Sequence, residues 1–268
     1  MNSFYEEFKD TTHYQKNNAF LKACIDGDLE KVRYLLTSPE LSDHANIDVT
    51  DSESDYNGYL YACKYGWLDL VKYLLTSPEL KYHQSIYSRN RGDDTGLQIA
   101  CKYGHANIVE YLLTSPDLKE HASISENDYW GISLACENGS IDVIKYLFNS
   151  EYLKEYDINE NSKDILNLAC ENGHLEIVRF LLTNTNFKEI ADLNAALFSS
   201  RWNESLEIAQ YLIIDFNIPR NKDTMDLLWQ YQEPFARNLE GMFTARELNK
   251  ELNEQLNPSN KNNKKTKI

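Results

Sequence analysis

The sequence has 268 residues, 42% of them hydrophobic and 26% charged, with 42 acidic against 27 basic side chains for a net charge of −15. This balance excludes collagen-like, disordered and membrane chains. No apolar run approaches the roughly 18 residues that a membrane span needs, and an anionic body repels nucleic-acid phosphates and anionic lipid, leaving neutral or basic proteins as the favoured partners. The opening stretch MNSFYEEFKDTTHYQKNN lacks the apolar core of a secretory signal, so the sequence predicts a cytoplasmic protein.

Taken in chain order, residues 1–17 carry Phe4, Tyr5 and Phe8 and read as an N-terminal cap. From there the cysteines set the organisation. Cys24, Cys63, Cys101, Cys136 and Cys170 each follow an alanine and are spaced 34 to 39 residues apart, with no Cys-x-x-Cys pair. An odd number at this spacing argues against a disulfide framework or a zinc knuckle. Every Ala-Cys opens one pattern: two variable residues, Gly, one residue, then an apolar run of helical period, as in ACKYGWLDLVKYLL from Ala62 and ACENGHLEIVRFLL from Ala169. A degraded further copy fits NAALFSSRWNESLEIAQYLI from Asn194. Recurrence at a fixed period signals stacked units that cannot bury their apolar faces alone.

Each unit reads as a helical hairpin. Ala-Cys lets the inner helix approach its neighbour closely, while Gly27, Gly66, Gly104, Gly139 and Gly173 stand where that helix ends in a left-handed residue. Asn18, Asn57, Thr95, Asp164 and Asn194 stand at the expected N-cap of the inner helix, with Trp130 the exception. Leu68, Val71, Leu74 and Leu75 make one stripe of an outer helix.

The stretches Thr95–Leu113 (TGLQIACKYGHANIVEYLL) and Leu166–Leu182 (LNLACENGHLEIVRFLL) carry the strongest likeness, and through them the chain resembles the ankyrin-repeat family. The resemblance covers about residues 18–215 and implies an all-α solenoid of about six repeats with a helical C-terminal cap. It departs from the family where Gly58, Gly96 and Gly131 replace the proline of Thr-Pro.

The first three copies are stretched by TSPELSDH, TSPELKYH and TSPDLKEH. Ser-Pro-acid-Leu reads as an N-cap, a proline at the first helical position and an acid favoured by the helix dipole, so an extra helical turn is predicted after each outer helix. Beyond the repeats, residues 216–257 read as a C-terminal helical cap, as helices 223–243 and 244–256 broken at Pro234. Leu248, Leu252 and Leu256 recur every four residues and read as a capping face, with a partner-binding face or a homo-oligomer contact as the alternative. The lysine-rich tail 258–268 reads as disordered.

Catalytic and metal motifs are missing. There is no GxSxG, Walker loop or HExxH, so the reading is not an enzyme, with no cofactor and no metal. His44, His83 and His121 recur one per repeat, too far apart to share an ion whose bonds are about 2 Å long. His105 and His174 occupy the family's Gly-His position, where the resemblance implies repeat packing. The Arg91-Gly92-Asp93 triplet reads as a chance match to an integrin motif.

Among the 18 tyrosines two classes stand out. Tyr34, Tyr73, Tyr111, Tyr146 and Tyr211, with Phe180, precede the Leu pair of the outer helix and read as packing. The second class lies at positions that the ankyrin family leaves variable and uses for contact, and the resemblance makes these the expected partner-binding surface: Tyr56, Asp94, Tyr129 and Lys163 before the cap, then Lys64-Tyr65, Lys102-Tyr103, Glu137-Asn138, Glu171-Asn172 and Arg201-Trp202. Tyrosine and tryptophan are rigid anchors favoured at binding hot spots. The functional expectation is a non-catalytic protein-interaction module that masks or sequesters a partner through groove and loop tips. The near-identical TSPEL units are similar to duplicated arrays of microbes, their viruses and intracellular parasites, which implies an effector or inhibitor of a host protein. Two alternatives stand beside it: an acidic decoy for a nucleic-acid-binding protein, and a self-assembling scaffold.

Overall fold

The structure is a computed structural model that describes residues 7–125, 129–150, 153, 158–184, 192–203, 205–216, 218 and 233–256, the side chains of 158–164, 184, 233 and 254 excepted. The described residues are helical apart from turns and the isolated bridges Thr50–Asn57 and Arg89–Thr95, and they form an all-α array of helical hairpins in two compact units, 1–156 and 157–268.

In the first unit each hairpin pairs an inner with an outer helix: α1 (His13–Asp26) with α2 (Leu29–Thr37), α3 (Gly58–Tyr65) with α4 (Leu68–Thr76), α5 (Gly96–Lys102) with α6 (Ala106–Thr114), and α7 (Trp130–Glu137) with α8 (Ile141–Asn149). Inner helices lie side by side. Cys24, Cys63, Cys101 and Cys136 with their preceding alanines are almost wholly buried between them. Leu74 and Leu112 of the outer helices are fully buried, each contributing about 2 kcal/mol of apolar transfer.

Glycine decides how closely repeats approach. Gly27, Gly66, Gly104 and Gly139 all have φ between 72° and 84°, a region in which other residues are strained. A Cβ on Gly27 would lie 2.6 Å from the Trp67 ring, and one on Gly66 would lie 2.7 Å from the His105 ring. The same argument accounts for two of the three glycines that replace the family's proline. A Cβ at Gly58 would stand 2.7 Å from Phe20, and one at Gly96 would run into the ring and hydroxyl of Tyr59. Phe20 within α1 and Tyr59 in the first turn of α3 thus take the space of the next repeat's proline.

Helix starts differ from expectation at several copies. Asn57 accepts from the Leu60 N–H at 2.9 Å, and Thr95 forms a capping box with Gln98. Asn18, however, lies inside α1, whose cap is a Thr12–Gln15 box. Tyr129, with left-handed φ 62°, precedes α7. The helix therefore begins with Trp130 itself.

The predicted extra helical turn is corrected to a single hydrogen-bonded turn, repeated three times. Leu41, Leu80 and Leu118 donate to the carbonyls of Ser38, Ser77 and Ser115 at 3.1–3.2 Å. The serine hydroxyls accept from the N–H of Glu40, Glu79 and Asp117 at 3.3 Å. The same serine carbonyls then accept from Nε2 of His44, His83 and His121 at 2.8–2.9 Å. The next residue's N–H reaches back to Leu35, Leu74 or Leu112 at 3.0 Å, satisfying a carbonyl that the outer helix leaves unpaired. The recurrent histidine is a loop staple, and it consumes the carbonyl that a further helical turn would use.

At the N-terminus Phe8 is buried under the Lys31 ammonium. Phe4 and Tyr5 lie outside the described residues. Lys16 is wholly buried, and its ammonium meets Asp43 of the first TSPEL loop, which also contacts His13 at 3.2 Å.

The second unit contains α9 (Ile158–Glu171), α10 (Leu175–Asn184), α11 (Leu193–Ser199), α12 (Leu206–Asp215) and α13 (Glu233–Leu256). Asp164 lies within α9. Asp192 rather than Asn194 caps α11, accepting from the N–H groups of Asn194 and Ala195. Pro234 occupies the second position of α13, where its missing N–H costs nothing, and α13 runs unbroken for 24 residues, so 235–243 and 244–256 form one helix rather than two. Phe235, Ala236, Leu239 and Phe243 form its buried face, and Arg246 donates to the carbonyls of Ile213 and Ile218. Leu248, Leu252 and Leu256 are instead 53–68% exposed, so the leucine stripe is not the capping face. The lysine-rich tail 258–268 and residues 223–232 lie outside the described residues.

Two outcomes follow for stability. Gly66→Ala is expected to lose at least about 1 kcal/mol in urea unfolding, since strain and the His105 clash act together, whereas Gly92→Ala, with no Cβ contact under 3.4 Å, stays within about 0.5 kcal/mol; equal behaviour of the two contradicts the close-approach argument. Asp43 is held below the usual aspartate range, first by the hydrogen bond from the Lys16 ammonium. A lowered folded-state pKa gives stability that is present above the unfolded value and lost on acidification. Asp43→Asn therefore unfolds at lower urea than wild type at pH 7, and the gap narrows as pH falls below about 4. A gap independent of pH contradicts the ion pair.

Candidate functional site

Exposed aromatic side chains gather at the inner-helix C-termini of the first unit and the loops beside them. Each inner helix leaves orphan carbonyls at its end, and the next repeat uses one of them. Trp67 Nε1 donates to the Ile25 carbonyl at 3.0 Å, His105 Nε2 to Lys64 at 2.9 Å and Ser140 Oγ to Lys102 at 3.1 Å. The bond falls each time on the residue after the inner-helix cysteine. This ladder fixes the residue that follows, so Tyr65 and Tyr103 are held one repeat apart, 41% and 42% exposed.

Lys64 stands between them. Its Nζ lies 5.5 Å from the Tyr65 ring centre, 5.7 Å from Tyr103 and 5.3 Å from Tyr56. Tyr56 itself is buried, correcting the expectation that it faces a partner with an open side chain. Its hydroxyl accepts from Asn90 Nδ2 at 3.3 Å, and its ring meets Tyr61 at 5.1 Å. Tyr61 stacks on Tyr65 at 6.2 Å and 12° and donates to Asp51 at 3.0 Å. Asp51 also accepts from the N–H groups of Glu53, Ser54 and Tyr56. Burial, then the bond to Asp51, push the Tyr61 phenol up to about 12, so it stays a donor at neutral pH.

The adjacent loops are tied together. Arg91 spans to the preceding loop through Asp55 at 3.2 Å and the carbonyls of Ser52 and Ser54. That makes the Arg-Gly-Asp triplet part of a loop–loop clasp. Asp94 is half-buried and accepts from Asn90 and from Trp130 Nε1 at 3.3 Å, leaving Trp130 43% exposed beside it. Trp130 is a surface aromatic that the expected site did not include, although its exceptional place at the cap marked it. Tyr129 and Lys102 are half-buried and Glu137 is exposed. Asn138 turns back to the Leu134 carbonyl at 2.9 Å.

In the second unit the expected residues are mostly engaged internally. Asn172 donates to the Leu168 carbonyl at 2.9 Å, and Glu171 accepts from Ser199 at 3.3 Å. Arg201 is a correction: it is buried, donates to the Phe198 carbonyl and lies 3.4 Å above the Phe198 ring. A guanidinium so held does not reach out to a partner, while Trp202 beside it is 62% exposed. The Lys163 side chain lies outside the described residues.

On the outer helices the packing tyrosines also act as cation rests. Arg33 lies 5.5 Å from Tyr73, Lys72 5.6 Å from Tyr111 and Arg179 4.5 Å from Tyr211. Each pair joins one repeat to the next.

The family profile described as Ankyrin repeats (3 copies) matches residues 20–128, 61–153 and 132–222. The chain belongs to the ankyrin-repeat family. Among solved structures, the human ASB11 ankyrin repeat domain aligns with a TM-score of 0.54 at 16% identity, over 83% of this chain and 96% of that one. At that identity the likeness shows the fold alone. No curated protein sequence matches. Ankyrin repeats are in general protein-interaction modules, and the ankyrin-repeat fold is typically a non-catalytic scaffold. Among the described residues no helix is long and apolar enough to cross a membrane, and no three His, Cys, Asp or Glu side chains gather as metal ligands.

The cysteines are packing groups. Desolvation pushes the thiols of Cys24, Cys63, Cys136 and Cys170 far up and that of Cys101 up to about 12, so none supplies a thiolate nucleophile at neutral pH. All five are free and buried. Ellman's reagent is expected to titrate none in the native chain and five after denaturation; a thiol reacting fast under native conditions contradicts the burial.

Proposed function

We propose that the chain binds a protein partner along the groove formed by the inner-helix ends and loops of its first unit, and acts by steric masking or sequestration. One observation carries the reading: Tyr65 and Tyr103 occupy equivalent positions on successive repeats, stand about two-fifths exposed, and flank the same ammonium. Exposed tyrosines held rigidly by a hydrogen-bonded ladder lose little entropy on binding. Tyr129, Trp130 and Glu137 extend the surface along the fourth inner helix. Trp202 offers a separate anchor on the second unit.

The net charge of −15 favours a basic partner and sets the contrast with an acidic decoy. A decoy works through screened charge, so its affinity collapses with salt, whereas a groove of desolvated aromatic anchors depends more on contact than on steering. The effector or inhibitor role of such a module toward a host protein is the finer form of this proposal.

The test is affinity capture with wild type and a folded Tyr65→Ala/Tyr103→Ala variant at low and high salt. The double variant is expected to lose the partner at least tenfold while wild type retains it at high salt. A partner that the variant keeps and salt releases contradicts the groove and favours the acidic decoy.

A further inference from the structure

The ring faces of Tyr56, Tyr65 and Tyr103 all approach one ammonium, that of Lys64, at 5.3–5.7 Å. Among the described residues that ammonium has no carboxylate or carbonyl partner. Its protein surroundings are ring faces rather than carboxylates, although a lysine's three N–H donors ordinarily pair with such acceptors. A box that offers π faces and no acceptor suits a cation that has no N–H groups to satisfy.

The walls are prearranged. Tyr56 is fixed by Asn90 and by Tyr61. Tyr65 is stacked on Tyr61, which is itself anchored on Asp51. Tyr103 comes from the following repeat, one residue beyond the Lys102 carbonyl that Ser140 holds. Asp51 and Asp94 lie behind Tyr56, close enough to raise the cost of ionising its phenol, so their negative charge backs the box without entering it.

We infer that this box is a binding site for a methylated lysine side chain presented by the protein partner, with the Lys64 ammonium as its resident placeholder. The inference rests on the groove reading above and names what the groove takes. An unmethylated lysine or an arginine entering the box meets the same ring faces as Lys64 at a comparable desolvation cost and gains nothing over it. A trimethylated or dimethylated ammonium is more weakly hydrated and carries its charge to the ring faces at less cost, so it displaces Lys64 into solvent. The acidic surface draws the basic segment on which such a side chain is carried.

The test uses the full chain and the probe Nα-acetyl-Nε-trimethyllysine amide, titrated by NMR on the tyrosine ring signals, beside the neutral carbon analogue with a tert-butyl end. Saturable binding in the millimolar range is expected for wild type, with the neutral analogue at least tenfold weaker. Lys64→Ala, which removes the competitor while leaving the Lys64 carbonyl that His105 uses, is expected to bind the probe about tenfold more tightly. Adding Tyr103→Leu is expected to abolish that gain. Unchanged thermal midpoints show that both variants remain folded, and competition of the probe by tetramethylammonium on wild type gives an arm that needs no variant. Equal affinity for the neutral analogue, or no tightening in folded Lys64→Ala, overturns the inference. If the probe fails while Tyr65→Ala/Tyr103→Ala still abolishes partner capture, the groove reading stands and only the methylated-lysine reading falls.

Discussion

A helix that stops leaves carbonyls without donors, and the first unit satisfies some of them within the repeat and one of them from the next repeat. The carbonyl after the cysteine of one inner helix is taken by Trp67, His105 or Ser140 at the start of the next outer helix. For the two aromatic donors the ring must lie flat against the turn, and only glycine clears the way: Gly27 beneath Trp67 and Gly66 beneath His105. The left-handed turn, the missing Cβ and the cross-repeat bond are therefore one device. Spacing between repeats, and with it the position of every side chain along the groove, follows from that contact.

The stretched loops extend the same economy. A four-residue turn, a serine hydroxyl and a histidine ring close each TSPEL segment on itself, and the following N–H returns to the outer helix. Between the second and third hairpins Gln84 adds a buried link, accepting from the Tyr59 N–H at 2.7 Å and donating to the Ile47 carbonyl. The longer repeats thus return a donor to the outer-helix carbonyls of Leu35, Leu74 and Leu112, which lets them depart from the family's usual period. The clasp of Arg91 on Asp55 ties the loop tips in the same manner. Rigid loops are what let a few aromatic anchors bind without a large ordering cost.

The fold was legible because its constraints recur. Ala-Cys, glycine and the Leu pair each answer a contact made at every repeat, so five copies spell it out. Contacts made once were not legible. Lys16 stands in a polar N-terminal stretch with nothing to single it out, yet it is buried on Asp43 of the first loop. Arg201 reads as the counterpart of Lys64 and Lys102, but with serines in place of Ala-Cys its helix ends differently and the guanidinium lies on Phe198. The leucine stripe of the last helix has clear periodicity, and periodicity alone does not say which face is covered: Phe235, Leu239 and Phe243 cover the last hairpin. For the groove, the alternation of Lys and Tyr marked positions that the second and third repeats leave partly exposed at equivalent places. It gave no sign that Tyr56 would turn inward and, with Tyr65 and Tyr103, enclose Lys64.

That enclosure depends on two consecutive repeats being held in register, since Tyr65 and Lys64 belong to one and Tyr103 to the next. The measurement that tests the account most directly is the NMR environment of the Lys64 side chain in the free protein. Ring faces at 5.3–5.7 Å predict Lys64 Hε signals shifted upfield of those of Lys102, with nuclear Overhauser effects to the ring protons of Tyr56, Tyr65 and Tyr103 together. Lys64 Hε signals at the ordinary solvent-exposed position, without effects to Tyr103, would contradict both the register of the repeats and the box built on it.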